Sequence, residues 1–96
     1  MVFVLQPFLP DKIHKTRIEK RLVKLHRVNK LLCSSFHRIK DDLKKLSKQE
    51  NAYYIDCSDV LNNERVTTYA DLWHFSDPGH ALLAQKLAER LVYVFK

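Results

Sequence analysis

The chain has 96 residues, of which 46% are hydrophobic, and a formal net charge of +6 at pH 7. This length limits it to one domain or a part of one. No apolar run approaches the ~18–20 residues that span a bilayer. The chain starts with an apolar segment that has neither the basic region nor the cleavage site of a signal peptide. We therefore predict no transmembrane segment, and the compartment stays open.

The positive charge is concentrated in residues 12–50, which hold thirteen Lys or Arg residues and four acidic residues. We interpret this excess as the solvated face of one helix. The only aromatic residue among these charges is Phe36, which falls in an apolar stripe, so a base-stacking surface is not indicated. No nucleic-acid partner is predicted. The two cysteines, Cys33 and Cys57, are expected to be free thiols.

Val2–Leu5 is a continuous apolar run, which is typical of a parallel strand buried on both faces. Pro7 ends it, and residues 8–11 form a loop at the carboxyl end of the strand, where open α/β sheets bind ligands. A parallel strand at the start of a chain lacks a preceding partner, which indicates missing upstream sequence. Its exposed edge predicts self-association.

A capping box at Thr16 and Glu19 starts a helix that no Pro or Gly interrupts up to residue 50. One interpretation is a coiled coil with Asn29 at a seam position, and the other is a long amphipathic helix that crosses a sheet. We favour the second because strands flank the helix, and a break near residues 33–35 is compatible with it. The apolar stripe comprises Ile18, Leu22, Leu25, Leu32, Phe36, Ile39, Leu43 and Leu46, widened by Val28 and Leu31.

Residues 52–56 are predicted to form a second strand, which makes a right-handed parallel β-α-β unit with the first. Asp77 is expected to cap the last helix, with Pro78 at its first position. The predicted apolar face of that helix comprises Ala81, Leu82, Ala84, Leu87, Ala88, Leu91 and Val92.

Asp71 and His74 lie in the loop directly before the last helix. Histidine can accept a proton near neutral pH, and a carboxylate beside it fixes its tautomer and stabilises the imidazolium. A structural His with a capping Asp is the alternative. Asp71, His74, Asp77 and His80 also suggest a metal cluster, which we disfavour because Asp77 and His80 belong to the helix start.

Residues 71–88, DLWHFSDPGHALLAQKLA, closely resemble the last conserved block of the SGNH (GDSL-type) hydrolases. VFVLQPFLP at residues 2–10 is similar to the strand after the Asn-bearing block of that family, and YYID followed by a serine also matches. The resemblance implies a three-layer α/β/α flavodoxin-like domain. Residues 1–96 would be a single partial domain, its C-terminal half, ordered β-α(long)-β-loop-α.

The resemblance also implies that His74 is the general base and Asp71 its orienting carboxylate in the hydrolysis of a carboxylic ester through an acyl-serine intermediate. No cofactor is implied, and simple esters, lipids and acetylated sugars all remain possible substrates. The Gly-Asp-Ser turn of the nucleophile and the oxyanion Gly and Asn are missing, since Gly79 is the only glycine. A non-catalytic remnant or interaction module is therefore the alternative. A coiled-coil or nucleic-acid-binding module on residues 16–50 is a third, weaker hypothesis.

Five further residues with ring side chains have less specific predictions. Trp73 and Phe75 are expected to anchor the loop in the core rather than line an acyl pocket. His14, His26 and His37 are expected to be solvated because they fall on the basic segment.

Overall fold

The computed structural model describes residues 1–95, which form a small mixed α/β protein with three α-helices and a two-stranded parallel sheet. The predicted β-α-β-loop-α order is confirmed at this level, although the long helix is two helices. The elements are β1 (Val2–Leu5), a 3-10 turn (Leu9–Asp11), α1 (Arg17–Leu25), α2 (Lys30–Gln49), β2 (Tyr53–Asp56) and α3 (Asp77–Phe95).

The two strands pair in parallel, from Val2 opposite Tyr53 to Leu5 opposite Asp56. Parallel strands need a crossover between them, and α1 and α2 provide it. Val4 is 40% exposed, so β1 is not fully covered on both faces, contrary to the prediction that both faces are buried. The carboxyl ends of both strands meet at one edge, where the loop that follows β1 begins.

The predicted continuous helix over residues 16–50 is wrong, because the chain turns between α1 and α2. Arg27 adopts a left-handed conformation with φ of 49°. Its N–H donates to the carbonyl of Lys24, and the N–H of Val28 donates to that of Val23, which is a Schellman ending. Asn29 then caps α2 by accepting from the N–H of Leu32 at 2.9 Å. The break lies before residues 33–35, and Asn29 is a cap rather than a seam residue.

Helix α2 contacts both strands, so the interpretation of an amphipathic helix on a sheet is confirmed over the coiled coil. Phe36 is buried, and Leu32 and Leu43 pack against the core. Part of the predicted stripe faces solvent instead, on α1 and α2 alike, because only one side of each helix reaches the core. The exposed members are Ile18, Leu25, Leu31, Ile39 and Leu46.

The last helix begins one residue earlier than predicted. The hydroxyl of Ser76 accepts from the N–H of Gly79 at 3.2 Å, and the carbonyl of Ser76 accepts from the N–H of His80 at 2.9 Å. Ser76 is therefore the cap, and Asp77 is the first helical residue. The apolar face is also displaced from the predicted one: Leu82, Leu83, Leu87, Leu91 and Val94 pack on the core, whereas Ala81, Ala84, Ala88 and Val92 are exposed.

The hydrophobic core lies between the sheet, α2 and the segment before α3. Cys57 is buried within it and, like Cys33, is a free thiol, as predicted. No helix within residues 1–95 combines the length and the apolar character that crossing a bilayer requires. The buried apolar residues are Leu5, Phe8, Leu9, Phe36, Ile55, Cys57, Val60, Leu61, Tyr69 and Leu72.

Candidate functional site

Asp71 and His74 form a hydrogen-bonded pair in the loop before α3. The Oδ2 atom of Asp71 lies 2.8 Å from Nδ1 of His74. The other carboxylate oxygen, Oδ1, accepts from the backbone N–H groups of Trp73 at 2.8 Å and His74 at 2.7 Å. One carboxylate therefore sets both the turn of the backbone and the orientation of the imidazole ring.

These hydrogen bonds also determine the protonation state of Asp71. The backbone N–H groups of Trp73 and His74 lower the pKa of Asp71 to about 2, with a further contribution from the His74 ring. Asp71 is thus a carboxylate at neutral pH, and in the neutral imidazole tautomer that this contact selects it accepts the Nδ1 proton. The Nε2 atom then carries the lone pair. The His74 side chain is 79% exposed, so this lone pair faces solvent.

The loop is held at the carboxyl end of β1 by the segment that follows this strand. The ring of Trp73 stacks on Phe8 with centroids 4.3 Å apart, and Phe8 stacks in turn on Phe36 at 4.6 Å. The N–H of Leu9 donates to the carbonyl of Leu72 at 3.3 Å. Trp73 therefore anchors the loop by stacking, but with 37% of it exposed it is not the core residue that was predicted.

The base of the loop is closed by backbone contacts. Tyr69 and Phe75 form an isolated antiparallel bridge, and their rings lie 5.3 Å apart. The N–H of Ser76 donates to the carbonyl of Thr68 at 3.0 Å. A Cβ on Gly79 would lie 1.9 Å from that carbonyl oxygen, so only glycine allows α3 to start this close to the loop.

A buried cluster of polar groups, absent from the sequence predictions, supports the loop from below. The carboxylate of Glu19 accepts from the ammonium of Lys12 at 2.7 and 2.9 Å, and both side chains are inaccessible to solvent. It also accepts from the N–H and hydroxyl of Thr68 at 3.0 and 3.1 Å. The Lys12 ammonium donates further to the carbonyl of Val66 at 3.0 Å. We call Lys12, Glu19 and Thr68 the buried cluster.

Glu19 has two roles, of which the sequence indicated one. The predicted capping box is confirmed, since Glu19 accepts from the N–H of Thr16 and donates its own N–H to the Thr16 hydroxyl. Burial raises the pKa of Glu19, but hydrogen bonds from Lys12, Thr16 and Thr68 outweigh it and leave the pKa below its ordinary value. The burial of a charged residue at a helix start, far along the chain from Thr68, has no signature in the local pattern.

The carboxyl end of β2 is held by a second set of polar contacts. The Oδ1 atom of Asp56 accepts from the N–H and hydroxyl of Ser58, and Oδ2 lies 3.0 Å from the ammonium of Lys40. The guanidinium of Arg90 donates to the Asp56 carbonyl and lies 3.3 Å from Asp59. These contacts join α2 and α3 to the end of the strand.

The remaining candidate residues named from the sequence lie outside the Asp71–His74 pair. Within residues 1–95, no group of three or more His, Cys, Asp or Glu side chains is arranged to hold a metal ion. His80 packs edge-on against Phe75, 5.5 Å away. His37 was expected to be solvated and is 58% exposed, but its Nε2 lies 3.0 Å from Asp11.

No serine hydroxyl within residues 1–95 hydrogen-bonds to His74. The hydroxyls of Ser35 and Ser47 donate to carbonyls of their own helix, and the hydroxyl of Ser76 donates to the Thr67 carbonyl. Ser58 is bound to Asp56. The described residues therefore supply an Asp–His pair without a nucleophile in contact with it.

Comparisons with known proteins identify no relative of this chain. No family model matches it, and neither the curated proteins nor the solved structures give a match. The geometry by itself defines a small α/β protein. It presents an exposed histidine, oriented by a carboxylate, at the carboxyl end of a parallel strand.

Proposed function

We propose that residues 1–96 are the C-terminal part of an SGNH-type ester hydrolase and supply the general base His74 and its partner Asp71. The observation that carries the proposal is the 2.8 Å contact between Asp71 and Nδ1 of His74, which leaves Nε2 exposed. The resemblance of residues 71–88 to the last block of that family supports it. The proposed whole domain is a three-layer α/β/α flavodoxin-like fold.

In this mechanism a serine attacks the ester carbonyl while Nε2 of His74 takes the hydroxyl proton. The Asp71 carboxylate holds the ring and stabilises the imidazolium. The same proton passes to the leaving alcohol. His74 then takes a proton from the water that attacks the acyl-serine and gives it to the serine oxygen as the carboxylic acid leaves. The serine and the oxyanion donors come from a part of the hydrolase outside residues 1–96.

The test is made on the complete protein that contains these residues, with p-nitrophenyl acetate as substrate and a fluorophosphonate as serine probe. We expect His74→Ala to lower kcat/KM by about 10³-fold or more. Added imidazole should restore part of the turnover, because it replaces the missing base. His26→Ala is the matched control, since His26 is exposed and lies at the end of α1. Unchanged turnover of His74→Ala excludes His74 as the base.

A non-catalytic scaffold or interaction module is the second candidate. It is favoured by the absence of any hydrogen bond between His74 and a serine within residues 1–95. A complete protein in which no serine reacts with the fluorophosphonate, and in which ester turnover is absent, supports this candidate. A labelled serine and turnover that depends on His74 support the hydrolase.

A further inference from the structure

Helix α1 and the turn after it present an uninterrupted positive surface. Glu19 is the only acidic residue between positions 12 and 40, and it is buried against Lys12. No acidic side chain of residues 13–40 is therefore exposed. The exposed basic residues of α1 and the following turn are Arg17, Lys20, Arg21, Lys24, Arg27 and Lys30.

Large apolar side chains stand among these charges. Ile18 is 57% exposed and Leu25 is 74% exposed, and they lie two turns apart on α1, whereas Leu22 between them packs against the core. Ile13 before the helix and Leu31 after it are 66% and 75% exposed. A basic face that contacts only water would not carry large exposed apolar side chains. Their exposure therefore indicates that an apolar phase outside the protein covers this surface.

The shape of this surface distinguishes between possible occupants. A groove of about 390 Å³ runs along it, and Ile18, Arg21, Leu22, Lys24 and Leu25 line it. All five belong to α1, so the groove lacks the second wall against which a partner helix would seat. A flat occupant fits a single convex helix better. Residues 12–35 contain no Phe, Tyr or Trp, which disfavours stacking of nucleic-acid bases.

We propose that α1 is a membrane-surface helix that binds the anionic headgroups of a phospholipid bilayer. Ile18 and Leu25 enter the boundary between headgroups and acyl chains, and the basic residues contact the lipid phosphates and carboxylates. The long Arg and Lys side chains reach the headgroups while their methylene stems cover the apolar row. This binding does not depend on the proposed hydrolysis.

The experiment is co-sedimentation of the full chain with vesicles of phosphatidylcholine that contain about one third phosphatidylserine. We expect binding to these vesicles and little to pure phosphatidylcholine. Arg21→Gln with Lys24→Gln should weaken partitioning about 25-fold, which is about fivefold per charge. Ile18→Gln with Leu25→Gln should weaken it at least about tenfold, because the apolar contact is lost while helix propensity is kept.

Two control variants separate the site from general charge and hydrophobicity. Lys44→Gln with Lys45→Gln removes two charges from α2, and Val92→Gln removes a 66% exposed apolar side chain from α3. Both should bind vesicles like the unaltered chain. Circular dichroism checks that each variant folds. Sedimentation detects binding without ester cleavage, so a failure here leaves the hydrolase proposal standing.

Two results would overturn the proposal. One is vesicle binding that is unaffected by the Ile18 and Leu25 changes, which would leave only diffuse charge attraction. The other is an absence of binding to the phosphatidylserine vesicles, and retention of a single-stranded RNA by the same chain would then assign the basic surface to nucleic acid.

Discussion

The buried cluster makes a quantitative prediction about folding stability. Glu19→Gln keeps the shape of the side chain and an oxygen for the donors of Thr68, but it leaves the Lys12 ammonium buried beside a neutral amide. Removing one partner of a buried ion pair costs about 3–5 kcal/mol. A domain of this size is stable by about 5–15 kcal/mol. We therefore expect Glu19→Gln to remove a large share of the free energy of unfolding.

Urea unfolding followed by fluorescence measures this loss. Trp73 is the only tryptophan and sits in the loop above the cluster, so its emission reports the affected region. Lys12→Met should cost a similar amount, because it leaves the Glu19 carboxylate without a counter-charge. The double variant should be more stable than either single variant, since neither charge is then buried alone. Costs that simply add, or a loss below about 1 kcal/mol for Glu19→Gln, would refute the reasoning.

The same cluster predicts a pH dependence. The pKa of Glu19 in the folded protein lies below its ordinary value of 4.5. Its stabilisation is complete above that value and is lost as the pH falls through the lower folded pKa. The unaltered chain should therefore lose stability in acid more steeply than the Lys12→Met, Glu19→Gln double variant. Parallel acid profiles of the two proteins would contradict this assignment.

Two substitutions and one titration test the loop and the helix ends. Gly79→Ala should destabilise the protein by about 3 kcal/mol in thermal unfolding, because the new Cβ meets the Thr68 carbonyl, and a gain from helix propensity alone would contradict this. Arg27→Gly should raise the melting temperature through a gain of about 1 kcal/mol, because φ of 49° favours glycine; an unchanged or lower value would argue against the turn. The carboxyl carbon resonance of Asp71 should titrate near pH 2, with its loop contacts complete above the ordinary value of 3.8 and lost as the pH falls through the folded pKa. A midpoint near 3.8 would disprove its backbone hydrogen bonds.

Local signals in the sequence predicted the helices and strands well where individual residues have a strong preference for a strand or for a helix start. An apolar run located β1, strand-favouring residues located β2, and the Thr16–Glu19 capping box located the start of α1. The helix break was missed because Arg27 occupies the left-handed position, where a glycine would have marked it. Asn29 then filled a place in the apolar periodicity although it is a cap. Ser76 was missed in the same way, because Asp77 beside it is an equally good capping residue.

Asp71 and His74 could be singled out because they lie three residues apart, and one turn of backbone is enough to bring them together. The sequence by itself thus determined the pairing of these two side chains and the α/β order of the chain. Only the tertiary structure decided how the loop is supported, because Lys12, Glu19 and Thr68 meet across 56 positions of the chain. Contacts of that range depend on how helices and loops pack, and no local pattern encodes them.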